Sequence, residues 1–104
     1  VLVVTTETVP GSATVEVLGL VRGSTVRAKH IGADIVASLR NLVGGEVREY
    51  AALLAGAREQ ALDRMVAEAE RLGADAVVAV RMETSQIQNA ASEVVCYGTA
   101  VRLK

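Results

Sequence analysis

Residues 46–72 read EVREYAALLAGAREQALDRMVAEAERL, and this stretch decides the fold. Val47, Tyr50, Leu54, Ala57, Ala61, Met65, Ala69 and Leu72 recur at three- and four-residue steps. That is the period of a helix with one apolar stripe. Glu49, Gln60, Asp63 and Glu70 project from the other side. Glu46 suits the first turn, where the helix dipole favours a carboxylate. Gly73 stands where a helix C′ residue should, since glycine takes the left-handed angle at little cost. So long a helix with one apolar face needs a sheet or another helix against that face.

The flanking segments supply a sheet. Residues 14–27 alternate, with Val15, Val17 and Val21 apolar, and Gly19 and Gly23 marking a bulge or a close backbone approach. Residues 75–85 set Ala76, Val78, Val80 and Met82 against a mixed face carrying Arg81 and Glu83. Residues 86–92 are small and polar and read as a hairpin connection. Residues 93–104 form a last strand whose two faces are both apolar or small: Val95, Tyr97, Thr99, Val101 and Leu103 on one, Val94, Cys96, Gly98 and Ala100 on the other. Residues 1–6 read as a further strand, and Val9-Pro10-Gly11-Ser12 as a turn. Ile31, Ile35, Leu39, Leu42 and Val43 place a short helix or helical loop over 31–43, stopped by Gly44-Gly45. The expectation is one α+β domain over residues 1–104, an antiparallel sheet packed on one long helix.

Composition adds a second subunit. The chain is 51% hydrophobic but has no Phe or Trp and only two Tyr, so Val, Ala and Leu make up the apolar mass. One helix layer covers one face of a sheet, and the last strand is apolar on both. A second copy of the chain is the simplest cover, which predicts a homo-oligomer. The net charge of −1, with acids and bases interleaved, lacks the basic stripe and stacking aromatics of a nucleic-acid binder. No apolar run approaches the roughly 20 residues of a membrane span, and no secretory pattern is visible. The single cysteine, Cys96, fits a reducing cytoplasm.

Chemistry-bearing residues are few. Cys96 lies on the small-residue face of a strand, where a free thiol is usually a small buried hydrophobe. As a metal ligand it has only His30, Met65 and Met82 for soft company, and no CxxC or HxxxH spacing exists. His30 lies in RAKHI (residues 27–31) and reads as an exposed loop imidazole. Helical geometry puts Arg58 on the apolar stripe, so it should be paired or exposed at a subunit boundary, as an interface or interlayer salt bridge or as an anion-binding arginine. Asp34 and Glu46 read as helix-start carboxylates, and Arg40, Tyr50 and Glu93 as polar groups at junctions. No nucleophile–base pair, glycine-rich phosphate loop or cofactor motif is present, so the chain reads as a binding protein rather than an enzyme, with no cofactor beyond a divalent or soft metal ion.

Five segments in register extend this reading: RAKHIGAD (27–34), LRNLVGGE (39–46), AREQA (57–61), LGADAVV (72–78) and YGTAV (97–101). Together they resemble the YbjQ-like family of bacterial and archaeal proteins, labelled heavy-metal-binding or of unknown function. The resemblance implies a two-layer β-α-β-β subunit of the dodecin-like type, assembled into a homopentameric ring. Its shared pattern falls on glycines and on Asp34, Arg40, Glu46, Tyr50, Arg58 and Glu93 as ligand or interface positions. The soft candidates Cys96 and His30 are metal positions only if the family label holds here.

Overall fold

The helix forms as α1 (Gly45–Arg71), within one residue of the expected bounds at each end. Glu46 falls in its first turn. At its C-terminus the Ala74 amide donates to the Ala69 carbonyl at 3.1 Å and the Gly73 amide to the Glu70 carbonyl at 3.0 Å. Gly73 has a φ of 77°. These two bonds satisfy carbonyls that the helix end would otherwise leave open, and they require the left-handed residue the sequence supplied.

The computed structural model describes residues 1–28, 45–88 and 91–104. The expected helix over 31–43, and with it His30, Asp34 and Arg40, lies outside the described residues. So do the side chains of Glu46 and Tyr50. The strands are β1 (Leu2–Val3), β2 (Thr14–Ala28), β3 (Ala76–Gln88) and β4 (Ala91–Leu103). They make one sheet in the order β1-β3-β4-β2.

Two expectations about the sheet are corrected. It is mixed, not antiparallel: β4 runs antiparallel to both neighbours, but β1 pairs parallel to β3. β1, β2 and β3 therefore all run the same way, and β4 alone is reversed between β2 and β3. The hairpin is also tighter than residues 86–92. Gln86 pairs with Ser92 and Gln88 with Ala91, so both strands continue into a largely polar stretch in which Ile87 is the one large apolar residue. Ladder hydrogen bonds need only backbone groups, so a polar strand end is invisible to hydropathy.

A bulge in β3 also divides the apolar row expected there. The register slips between Val78 and Arg81, and Ala79 sits at a φ of 54°. The extra residue reverses the side-chain alternation. Val77 and Val80 therefore join the core under α1, while Ala76 and Val78 pack on the opposite face with Val101. That second cluster is covered by Val4 and Val9 of the chain's own N-terminal segment. Ser12 donates to the Val9 carbonyl at 3.1 Å across Pro10-Gly11, closing the expected turn. Part of the second layer is thus internal, not borrowed from a neighbouring copy.

The main core lies between α1 and the sheet. Ala57, Ala61, Met65 and Ala69 face Val21, Val77, Val80, Val94, Cys96 and Ala100. Helix α1 lies over β2 and β4 and barely reaches β3. The result is elongated, 55 × 21 × 16 Å. Its radius of gyration of 17.3 Å exceeds the roughly 13 Å of a globular chain this long.

Candidate functional site

Three regions hold what chemistry the described residues offer. The first is the centre of the core. The i, i+4 run of Ala57, Ala61, Met65 and Ala69 keeps the helix close to the sheet, and Gly23, Cys96 and Met82 form one cross-strand row beneath it. There the Cys96 Sγ donates to the Met65 Sδ at 3.6 Å, and both residues are wholly buried. Cys96 therefore sits as the sequence indicated, as a small buried hydrophobe.

Burial pushes the Cys96 thiol above its ordinary 9.0, because the thiolate would lose its hydration. In the unfolded chain the thiol ionises near its ordinary value, while in the fold it stays protonated. Stability is therefore whole below about 9 and falls as pH rises from there toward the folded value. Denaturant titrations at pH 7 and pH 10 should show that loss, and Cys96→Ala should reduce it. An equal loss in the variant would place the alkaline sensitivity elsewhere.

These donors do not suit a heavy metal. A thiol held protonated is a poor ligand, since the thiolate is the coordinating form. Zinc takes four ligands in structural sites and three in catalytic ones. Among the described residues no three His, Cys, Asp or Glu side chains come together. Cys96 and Met65 are two donors closed off by packed alanines.

The second region is the outer face of the sheet. Tyr97 lies there, half-buried, and its hydroxyl donates to Glu83 Oε1 at 3.4 Å. Glu93 is half-buried between Val26 and Ser85. Val15, Val17, Leu20 and Val26 of β2 are each more than half exposed.

The third region is the end of the helix-facing side, where polar residues replace apolar ones. Thr25 pairs across from Val94, and Arg27 from Ser92. Arg27 Nη2 donates to Gln60 Oε1 at 2.8 Å. Arg27 Nε and Thr25 Oγ1 are buried without a hydrogen-bond partner. Each such group costs about 1–3 kcal/mol if nothing satisfies it.

Arg58, expected on the apolar stripe and there paired or exposed at a subunit boundary, is exposed on α1. The buried residues follow an exact four-residue step, and at about 100° per residue their line of contact drifts by some 40° each step. Near Ala57 the contact direction points away from Arg58, although an averaged wheel places Arg58 inside the stripe. The inward cation is Arg27. Its signal was present in the sequence as the continuation of Val21, Gly23 and Thr25 at two-residue steps.

The fold and these sites define a small α+β protein, one helix on a mixed four-stranded sheet, with no catalytic constellation among its described residues. A family model described as "Putative heavy-metal-binding" matches residues 1–104. The chain belongs to this YbjQ-like family. It is 57% identical over 104 residues to a UPF0145 protein of Archaeoglobus fulgidus, covering 100% of this chain and 96% of that one. It is 52% identical over 100 residues to a UPF0145 protein of Psychromonas ingrahamii, covering 96% and 95%. Among solved structures it resembles a protein of unknown function of the DUF74 family from Pediococcus pentosaceus. That match has a TM-score of 0.60 at 15% identity and covers 98% of this chain and 96% of the other. At that identity the likeness concerns the fold alone. No helix among the described residues is long and apolar enough to cross a membrane.

Proposed function

We propose that this chain works as a homo-oligomeric binding protein, a pentameric ring of dodecin-like subunits with ligand or ion sites between copies. The observation that carries this reading is β2. It is a 15-residue strand at the edge of the sheet, with Val15, Val17, Leu20 and Val26 exposed along it. A long apolar edge left uncovered is an aggregation hazard that natural sheets avoid. The opposite edge is open as well, because β1 spans two residues and leaves β3 beyond Arg81 without a neighbour among the described strands. Two unlike open edges on one subunit favour a head-to-tail contact, and such contacts close into rings when the rotation permits. The half-buried Tyr97 and Glu93 and the exposed Glu83 on the same outer face are groups a cleft between copies could use.

Native mass spectrometry tests the assembly. The expected mass is five times the 10.8 kDa chain, and the double variant Val17→Asp, Val26→Asp should shift it to single chains while far-ultraviolet circular dichroism is retained. A single-chain mass for the unaltered protein at micromolar concentration would refute the ring. The family's metal label is read from the same spectra after incubation with zinc, copper or cadmium. An ion retained through buffer exchange would require ligands beyond Cys96 and Met65, which cannot supply a site alone.

A further inference from the structure

The helix-facing side of the sheet changes character along its length. Row by row it runs Val21 and Gly98, then Gly23, Cys96 and Met82, then Thr25, Val94 and Thr84, then Arg27, Ser92 and Gln86. The last two rows are polar on both outer strands, and they are enclosed toward β2 and β4, where Thr25 and Ser92 are buried and Arg27 is half-buried, but exposed at Thr84 and Gln86 on β3. Thr25 is 3% exposed and Ser92 6%. A hydroxyl and a guanidinium placed under a helix should be fully paired, because buried polar groups almost always are.

They are not. Thr25 Oγ1 and Arg27 Nε are the two buried side-chain polar atoms without a partner among the described residues. Both belong to one strand, two residues apart, and both face the helix. Their Cα atoms lie two residues, about 6.6 Å, apart along the strand, and an anion with two oxygens, each about 2.9 Å from its donor, can serve both groups. Arg27 already donates Nη2 to Gln60 Oε1, so the ring of donors is oriented by α1 and the amide nitrogen of Gln60 is left to donate. No carboxylate pairs with Arg27 among the described residues, and what they lack here is an acceptor carrying negative charge.

We propose that Arg27, Thr25 and Gln60 hold a small oxyanion between helix and sheet. Its class is a compact anion with at least two acceptor oxygens, either inorganic phosphate or a small carboxylate. The guanidinium gives two parallel N–H bonds to such a group, through Nε and a terminal nitrogen, which is the geometry arginine favours for carboxylate and phosphate. Thr25 donates its hydroxyl to the second oxygen. The site lies within one chain and stands whether or not copies assemble.

Calorimetric titration of the whole protein with inorganic phosphate, and separately with acetate, reads the binding. The protein is first exchanged into a buffer free of oxyanions. One anion per chain is expected, and the tighter of the two identifies the source. Arg27→Gln should weaken binding on the order of 100-fold, because a charge-assisted pair of bonds is lost. Thr25→Val should weaken it about tenfold through loss of one hydrogen bond. The same Thr25→Val variant should melt at the same or a higher temperature without anion, since it removes an unpaired buried hydroxyl while keeping the side-chain shape. That opposition separates a ligand site from a structural defect, and it holds even if Arg27→Gln fails to fold. The proposal is overturned if neither anion binds at millimolar concentration. It is equally overturned if Thr25→Val binds as the unaltered protein does, which would assign the heat to surface cations.

Discussion

Gly23→Val should cost roughly 3 kcal/mol or more of stability, at the upper end of what overpacking does. A Cβ at position 23 would meet the Ala61 carbonyl oxygen, the Met65 amide nitrogen at 2.5 Å and the Arg64 Cβ at 2.8 Å. Two of the three are helix backbone, which cannot rotate aside. Any side chain at this point lifts α1 from β2, and it also disturbs the Arg64 guanidinium, which donates to the Ser24 carbonyl at 2.6 Å. Gly23→Ala should act in the same direction with a smaller loss. Gly56→Ala is the matching control. It lies in α1, and a Cβ there meets nothing within 4 Å. Removing glycine from a helix interior should stabilise by about 0.5–1 kcal/mol. Chemical denaturation at equal protein concentration reads both. If Gly23→Val melts with the unaltered protein, the close crossing of helix and strand is wrong.

Met65→Ala should cost about 2–5 kcal/mol, the usual range for emptying a core position. Met65 is among the largest wholly buried side chains, and it fills the space between Cys96 and the helix. Its helical neighbours Ala61 and Ala69 are too short to collapse into the gap, so the cavity should persist. Met82→Ala is the comparison. Met82 is on the same row but 39% exposed, because α1 passes over β2 and β4 and leaves β3 aside. Its loss should stay below about 1 kcal/mol. In thermal melts each kcal/mol corresponds to roughly 4–8 °C for a domain of this size. Equal losses at the two methionines would contradict the off-centre placement of the helix.

These two results bear on different parts of the sequence's legibility. Gly23 was visible as a glycine interrupting an alternation, and the choice between bulge and close approach was open. The structure assigns one role to each glycine: Gly19, at a φ of 123°, follows a register slip, and Gly23 lies under the helix. Met65 and Cys96 were each legible as core, but their contact was not. Nothing in a one-dimensional pattern says which helix turn lies over which strand row.

The candidate sites were less legible, for a related reason. A helical wheel averages over the whole of α1, so it placed Arg58 on the apolar stripe. The contact actually drifts around the helix, and Arg58 is exposed. Arg27 carried the complementary signal, a charge at the end of an inward-facing series, but residues at strand ends are ordinarily solvated. Only the helix lying above them shows that Thr25 and the Arg27 Nε are enclosed.

The sequence by itself determined the elements: a 27-residue helix from its 3.6-residue period, its glycine stop, the Pro-Gly turn, and strands wherever apolar residues alternate. Those signals are local, because a helix or strand face is written within a few residues of chain. The tertiary structure alone decided the parallel pairing of β1, the reversal of faces at Ala79, the self-covered patch over Val101 and the unsatisfied pair at Thr25 and Arg27. Each depends on which segments meet across long sequence distances. Hydrophobic burial is non-directional, so composition and periodicity require that apolar faces be covered without saying by what.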